Sequence, residues 1–398
     1  MIYNDFKECS ISRLGFGLMR LPLNEDKTIN KEETFKMVDY AINHGVNYFD
    51  TAYPYHEGDS ELVIGEALSR YERDSFYLAT KYPGHQTDTS YNPAEVFEDQ
   101  LKKCRVDYFD FYLLHNVCEK SIDTYLDERW NIIPYFIEMK KQGKIKHLGF
   151  SSHAGLDCLK DFLNKWRDEM EFCQIQFNYL DYTLQHGKEK LEILEKCGIP
   201  VWVMEPLRGG KLANLDEELA GRLNGKKPAE EAFRFIASFP NIKVILSGMS
   251  NYTQMVENVA TFENYEPMNK EEADVLLAIA EELKQGVPCT GCRYCVDNCP
   301  MGLGIPELMN AYNDIAVNKS AFTPAMYMQS LPEEKRPTAC IGCGACAAMC
   351  PQKIDIPDVM SKLSDLMPSL PDWDVICKDR NAKAREKMLM RQKESKYV

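Results

Sequence analysis

Cys289, Cys292, Cys295 and Cys299 follow one another as C-x2-C-x2-C-x3-C-P, and Cys340, Cys343, Cys346 and Cys350 repeat the spacing. Three thiolates at two-residue gaps can wrap one face of an iron–sulfur cubane, while the proline carries the fourth cysteine away toward a neighbouring cluster. Zinc is the alternative reading, but it typically uses two C-x2-C pairs separated by a longer loop. These runs hold eight of the chain's 15 cysteines. With no secretory pattern at the N-terminus, metal chemistry is expected before disulfides. The scattered remainder, Cys9, Cys104, Cys118, Cys158, Cys173, Cys197 and Cys377, are expected to be small buried hydrophobes.

A second set of reactive side chains lies far upstream. Asp50 opens DTAYPY with Tyr55 five residues later, Lys81 ends YLATK, and His115 ends FYLLH. Singly, each has a plain explanation: a turn cap, a rim phenol, a solvated amine, a satisfied core imidazole. Their common feature is position, because each acid, amine or imidazole follows an apolar run that reads as a strand.

Those runs must be the positioning elements. From Arg13 to about Phe262, short apolar segments alternate with longer amphipathic ones, as in repeated βα units. Eight strands are predicted: Leu14–Met19, Val46–Asp50, Phe76–Lys81, Phe109–His115, Lys146–Ser151, Phe172–Phe177, Pro200–Glu205 and Lys243–Gly248. Helix starts are signalled by Asn30 with Glu33, and by Asn92 followed by Pro93 and Glu95. Eight units favour an α/β fold of the (β/α)8 TIM barrel type, whose chemistry collects at the C-terminal ends of the strands. After a helix near Glu271–Lys284 the composition turns to Cys, Gly and Pro. The boundaries expected are therefore 1–285 for the barrel, 286–370 for a small, mainly helical cluster domain, and 371–398 for a charged tail. In each half of the cluster domain a helix should start near Ile-Pro. The mixed-charge run Lys378 to Lys396 is expected to be a solvated helix, with docking of an acidic partner as the alternative.

Taken together, the DTAYPY phrase, Lys81 and His115 resemble the Asp-Tyr-Lys-His tetrad of the aldo/keto reductases over roughly Arg13 to Phe262, and the cysteine runs resemble dicluster bacterial-type ferredoxins. The ferredoxin likeness implies one cluster on Cys289, Cys292, Cys295 and Cys350, and another on Cys340, Cys343, Cys346 and Cys299. The reductase likeness implies Tyr55 as the proton donor to a carbonyl oxygen that receives hydride. An unperturbed phenol has a pKa of about 10, and a lysine cation about 4 Å away could lower it by up to roughly three units before desolvation opposes it. Asp50 would hold Lys81 in place and His115 would orient the carbonyl. The same resemblance implies that Ser151 and Gln174 bind a nicotinamide carboxamide, that Pro206, Leu207, Arg208 and Gly209 form a pyrophosphate loop, and that Gly248, Gln254, Glu257 and Asn258 lie on the adenine side. Two departures stand out: Met204 precedes Glu205 where many relatives stack an aromatic on the nicotinamide, and Gly248 and Gln254 occupy positions that often carry a base for a 2′-phosphate. NADP(H) and NAD(H) both remain open.

A net charge of −14 argues against nucleic acid and anionic membrane surfaces as partners. No apolar stretch approaches the roughly 18 residues of a membrane span, so a cytoplasmic protein is expected. Three functions fit the residues. The first is a nicotinamide-dependent oxidoreductase of a small carbonyl or alcohol, with two 4Fe-4S clusters for electron transfer. The second is an enzyme that takes electrons from an external carrier such as ferredoxin for a different redox substrate. The third is a non-catalytic, nicotinamide-binding redox sensor.

Overall fold

The computed structural model describes residues 1–86, 89–215, 217–284, 287, 289, 295–296, 298–316, 320–350 and 354–394, the side chains beyond residue 389 excepted. Its first ordered element was not predicted: β1 (Tyr3–Phe6) and β2 (Cys9–Ser12) form an antiparallel hairpin. Eight parallel strands follow, β3 (Leu14–Gly17), β4 (Tyr48–Asp50), β5 (Tyr77–Tyr82), β6 (Phe109–Leu114), β7 (Ile145–Ser152), β8 (Cys173–Gln176), β9 (Val201–Met204) and β10 (Ile242–Ser247), and they close into a barrel. Each predicted run supplies one strand, with ends displaced by at most two residues.

The strands are apolar on both faces because helices cover the outside and side chains fill the inside; all six residues of β6 are buried. At the end where the strands begin, the hairpin inserts Phe6, whose ring centroid lies 5.1 Å from that of Trp202 and 5.9 Å from that of Phe111. Burying one such ring is worth roughly 1.5–3 kcal/mol, so the hairpin is a hydrophobic plug. It leaves the opposite, C-terminal end as the open mouth. Helices on the outside start where the caps predict: Asn30 accepts from the Glu33 amide and Asn92 from the Glu95 amide, with Pro93 in the first turn.

The chain divides into two compact units, one of Met1–Tyr179, Gly187–Leu276 and Lys378–Val398, the other of Leu180–His186 and Leu277–Cys377. In the second unit the helices Ile305–Ala316 and Ile356–Leu366 begin at the two Ile-Pro pairs. Their apolar faces, with Leu308, Met309, Met360 and Leu363, meet in a core that also takes in Cys295 and Cys346. Asn313 ties the start of the segment down by bonding both the amide and the carbonyl of Val287.

The tail corrects the sequence reading. It forms a helix, Trp373–Glu394, but a solvated one would be exposed all round, and here Ala384 and Met388 are only 6% and 8% exposed. Among the described residues, no helix is long and apolar enough to cross a membrane.

Candidate active site

The register of the barrel brings strand ends together: Asp50 pairs with Ala79, and Lys81 with Leu113, two residues before His115. The Lys81 ammonium donates to Asp50 Oδ1 at 2.5 Å, to the Thr51 carbonyl at 2.7 Å and toward the Tyr55 hydroxyl at 3.5 Å. That uses all three of its donors. Lys81 and Asp50 are fully buried, whereas Tyr55 and His115 are partly exposed at the mouth. The His115 ring meets Tyr55 edge-on with centroids 5.8 Å apart, and His85 lies 4.4 Å from His115 on another side.

Electrostatics depart from the sequence expectation at one point. The Tyr55 phenol is raised above its ordinary value, because desolvation outweighs the attraction of Lys81 and Asp50 opposes it further. Burial alone would lower Lys81, yet the facing Asp50 carboxylate raises it, so the amine stays protonated. Burial, with help from His85 and Lys81, holds His115 well below the usual imidazole range. His115 is therefore neutral at neutral pH, and its Nδ1 has no hydrogen-bond partner among the described residues.

A buried polar network that sequence reasoning missed anchors the Lys81 strand. Glu61 accepts from Thr80 at 2.6 Å and from Gln100 at 2.7 Å and pairs with Lys103. Gln100 also donates to the Lys81 carbonyl at 3.1 Å and accepts from Tyr112 at 2.6 Å. Tyr125 braces the next strand end by donating toward the carbonyls of Tyr82 and His115. The available signal was a glutamate inside the apolar run SELVIGEAL, a residue type that stays buried only when paired.

Ser151 and Gln174 face each other in register across β7 and β8. Ser151 Oγ accepts from the Asn116 amide at 2.7 Å, while Gln174, 2% exposed, has its Oε1 without a partner among the described residues. A buried orphan amide oxygen is costly; a carboxamide NH2 arriving there would satisfy it. Pro206, Leu207, Arg208 and Gly209 follow β9 in a turn with φ of +53° at Glu205, +47° at Arg208 and +67° at Gly209. Gly248 follows β10; Gln254 Oε1 accepts from the Ser250 amide, Glu257 pairs with Lys227 at 2.7 Å, and Asn258 bonds Ser247 at 3.0 Å. All three are thus engaged within the fold. Arg20, not singled out from sequence, runs between the two loops: a Cβ at Gly248 would lie 3.3 Å from its Cβ, and one at Gly209 would lie 3.4 Å from its Nη2. It also pairs with Glu205 at 3.3 Å.

In the second unit Cys299, Cys340, Cys343 and Cys346 line one pocket, walled by Met301, Ile305, Ile341, Ile356 and Met360. The Leu303 amide donates to Cys299 Sγ at 3.5 Å. Four soft donors around an apolar hollow fit an iron–sulfur cluster. Cys289, Cys295 and Cys350 pack against the same core; Cys292 lies outside the described residues.

A closed parallel barrel with an acid, an amine, a phenol and an imidazole at its open end defines a barrel enzyme, and comparison supplies its family. The sequence model of the aldo/keto reductase family matches residues 13–281, and that of a 4Fe-4S dicluster domain matches 288–354. The chain belongs to the aldo/keto reductase family and is an oxidoreductase with a 4Fe-4S dicluster domain. It is 26% identical over 286 residues to the uncharacterized oxidoreductase YqkF of Bacillus subtilis, covering 63% of this chain and 87% of that one. It is 24% identical over 226 residues to an NADH-specific methylglyoxal reductase of Escherichia coli, covering 52% and 66%. The holo form of an aldo-keto reductase from Bacillus halodurans superposes with a TM-score of 0.59 at 26% identity, covering 70% of this chain and 96% of that one.

Proposed function

We propose that the chain reduces a small carbonyl compound, or oxidises the corresponding alcohol, with NADP(H) or NAD(H). The observation that carries this reading is the Lys81 ammonium held between Asp50 and the Tyr55 hydroxyl at 2.5 and 3.5 Å in the barrel mouth. Bound nicotinamide would supply or accept the hydride. Tyr55 holds its proton until charge develops on the substrate oxygen. An alkoxide is comparable in basicity to hydroxide, whose conjugate acid has a pKa of about 15.7, so even a raised phenol is acid enough to protonate it. Lys81 then stabilises the phenolate left behind, and Asp50 keeps that ammonium charged and fixed. Neutral His115 donates a hydrogen bond to the same oxygen.

Ser151 and Gln174 would hold the carboxamide, the 206–209 turn with Arg208 and Arg20 the pyrophosphate, and Gly248, Gln254, Glu257 and Asn258 would lie on the adenine side. Cys340, Cys343, Cys346 and Cys299 would hold one 4Fe-4S cluster, and Cys289, Cys292, Cys295 and Cys350 the other. Each cluster accepts one electron at a time, which suits exchange with an external carrier such as ferredoxin.

The test is anaerobic assay of the cluster-loaded protein against a panel of aldehydes and ketones with NADPH and with NADH. Turnover with either supports this reading. Absence of turnover together with substrate reduction by a low-potential ferredoxin would replace it with the carrier-linked enzyme. A stable complex with a larger protein and no turnover would favour the sensor.

A further inference from the structure

We propose that Glu8, Cys9 and His147 form a binding site for one divalent cation, zinc above all, at the end of the barrel opposite the catalytic mouth. The site is separate from the carbonyl chemistry proposed above and from the two cysteine runs, and does not depend on either.

The hairpin that plugs the barrel delivers two of the three groups. Glu8 stands in its turn and Cys9 opens β2, while His147 comes from β7. The His147 ring lies against the plug, its centroid 5.0 Å from that of Phe6 and 5.0 Å from that of Phe111. Its Nε2 is 3.5 Å from Cys9 Sγ and 3.4 Å from Glu8 Oε1. One ligand atom from each of the three residues lies within 4.8 Å of the other two. Cys9 and His147 are buried and Glu8 is exposed, so the site is walled by the barrel and open to ions from solvent.

These separations match a metal's needs. Zinc sits about 2.3 Å from a thiolate sulfur and about 2.0–2.2 Å from an imidazole nitrogen or carboxylate oxygen, in a tetrahedron. The edges of such a tetrahedron are about 3.4 Å between nitrogen and oxygen and about 3.6 Å between nitrogen and sulfur. His147 Nε2 keeps both distances to its neighbours.

The imidazole is also turned the right way. Glu171 Oε2 lies 3.2 Å from His147 Nδ1. A carboxylate only accepts, so Nδ1 carries the proton and the neutral ring presents its Nε2 lone pair to Glu8 and Cys9. The Glu8 carboxylate is likewise an acceptor, and two acceptors facing each other at 3.4 Å are drawn together by a cation between them. Glu171 is itself fixed by Lys7, by Lys140 at 3.2 Å and by the Leu148 amide at 3.2 Å. Both lysines are thus committed to Glu171, which acts as the carboxylate behind a ligating histidine that sets its tautomer and raises its basicity.

Burial pushes the Cys9 thiol up to about 11, so an entering cation displaces its proton to solvent as the metal–sulfur bond forms. One thiolate, one imidazole and one carboxylate suit zinc and not calcium or magnesium, which take oxygen ligands. Water takes the fourth position. A cation held there ties the hairpin turn to β7 and fixes the plug in the barrel.

The experiment uses the cluster-loaded protein, kept anaerobic, freed of loose metal on a chelating resin and titrated with zinc chloride. One zinc per chain is expected to bind with the iron content unchanged. Zinc-edge X-ray absorption should show a single sulfur at about 2.3 Å and nitrogen or oxygen ligands at about 2.0–2.2 Å. Calorimetry should show Glu8→Gln and His147→Gln each weakening zinc at least about tenfold, since even groups behind the ligands are worth that much. Zinc should raise the Tm of the unaltered protein and leave that of Glu8→Gln nearly unchanged. No zinc bound beside full iron, zinc in an all-sulfur shell, which would place it on the cysteine runs, or unchanged affinity in either variant overturns the proposal. If His147→Gln does not fold, Glu8→Gln, altered at an exposed side chain, decides alone.

Discussion

The Tyr55 hydroxyl lies 3.5 Å from Lys81 Nζ, while the same nitrogen is 2.5 Å from Asp50 Oδ1. Lysine is thus committed first to the carboxylate and only loosely to the phenol, which leaves the phenol protonated and Lys81 ready to tighten on a phenolate. Tyr55→Phe should therefore lower kcat/KM for carbonyl reduction at least about a hundredfold. Nicotinamide affinity, read by fluorescence titration, should stay within about twofold, since the hydroxyl acts on the substrate oxygen alone. Full activity in the variant would assign the acid elsewhere.

Lys81→Met should abolish activity to a similar degree and also destabilise the barrel unit by about 3–5 kcal/mol, because the Asp50 carboxyl, raised by burial even beside Lys81, would lose the partner that offsets its desolvation. Adding Asp50→Asn should restore most of the stability and none of the activity. Denaturant titration of the two variants separates the structural effect from the catalytic one.

Cys299 shares a pocket with Cys340, Cys343 and Cys346 although it lies 41 positions before Cys340, with helices between them. Anaerobic reconstitution should give close to eight irons per chain, two cubanes of four. Cys299→Ser should perturb the cluster of the second run, read by electron paramagnetic resonance. Loss confined to the first-run cluster would contradict the crossed ligand set.

Stability should fall on mild acidification. Burial, assisted by the positive charge of Arg380, lowers His85 to about 3, and burial lowers His147 to about 4 against the opposing pull of Glu8. Both are depressed below the unfolded value of about 6.5, so between roughly pH 6.5 and 3 the unfolded chain binds more protons than the folded one. The contribution is complete above pH 6.5 and is lost progressively below it. Thermal melts from pH 7.5 to 4.5 should show Tm decreasing through this range, and replacement of His147 by Gln should flatten the slope.

Dinucleotide choice should be loose. Arg20 would serve the pyrophosphate that both dinucleotides carry and is paired with Glu205, while Gly248 and Gln254 stand where a base for the 2′-phosphate is often found, so the charge-assisted contact that would distinguish the two, worth roughly 1.5–3 kcal/mol, is missing there. NADPH should be preferred over NADH by less than about a hundredfold. Arg20→Gln should weaken both, as measured by their dissociation constants.

The barrel was legible because eight apolar runs at regular spacing admit few other arrangements, and Asp50, Lys81 and His115 were legible because each sits where such a run stops. The two cysteine runs were legible from their spacing, whereas the sharing of ligands between them was implied only by the ferredoxin resemblance. What escaped was decided by contacts between distant residues. The plug at Phe6 is a ten-residue hairpin with no turn glycine, and the apolar run around Glu61 signals burial without naming its partners Thr80, Gln100 and Lys103, which come from other elements. The tail looked solvated because its covered face carries Arg380 and Lys387 among Ala384 and Met388, which blurs the amphipathic signal. The phenol's direction escaped for another reason: pairwise attraction can be guessed from sequence, whereas desolvation depends on the whole pocket.

The tail's return to the barrel unit gives the chain an order of assembly. Residues 378–398 belong with Met1–Tyr179 and Gly187–Leu276, whereas Leu277–Cys377 intervene as a separate unit. During synthesis at about 5–20 residues per second, the eight strands emerge well before the helix that helps to hold His56, Glu57 and Gly58 in their left-handed turn. A nascent barrel lacking that helix would keep the Leu21 bond to His56 but lack the pairs of Lys383 and Lys387 with Glu57 and Asp59 beside its phenol, and these can form only once the dicluster segment has been synthesised. The bracing of the loop after Tyr55 is thereby deferred until the segment that matches the dicluster domain has been made.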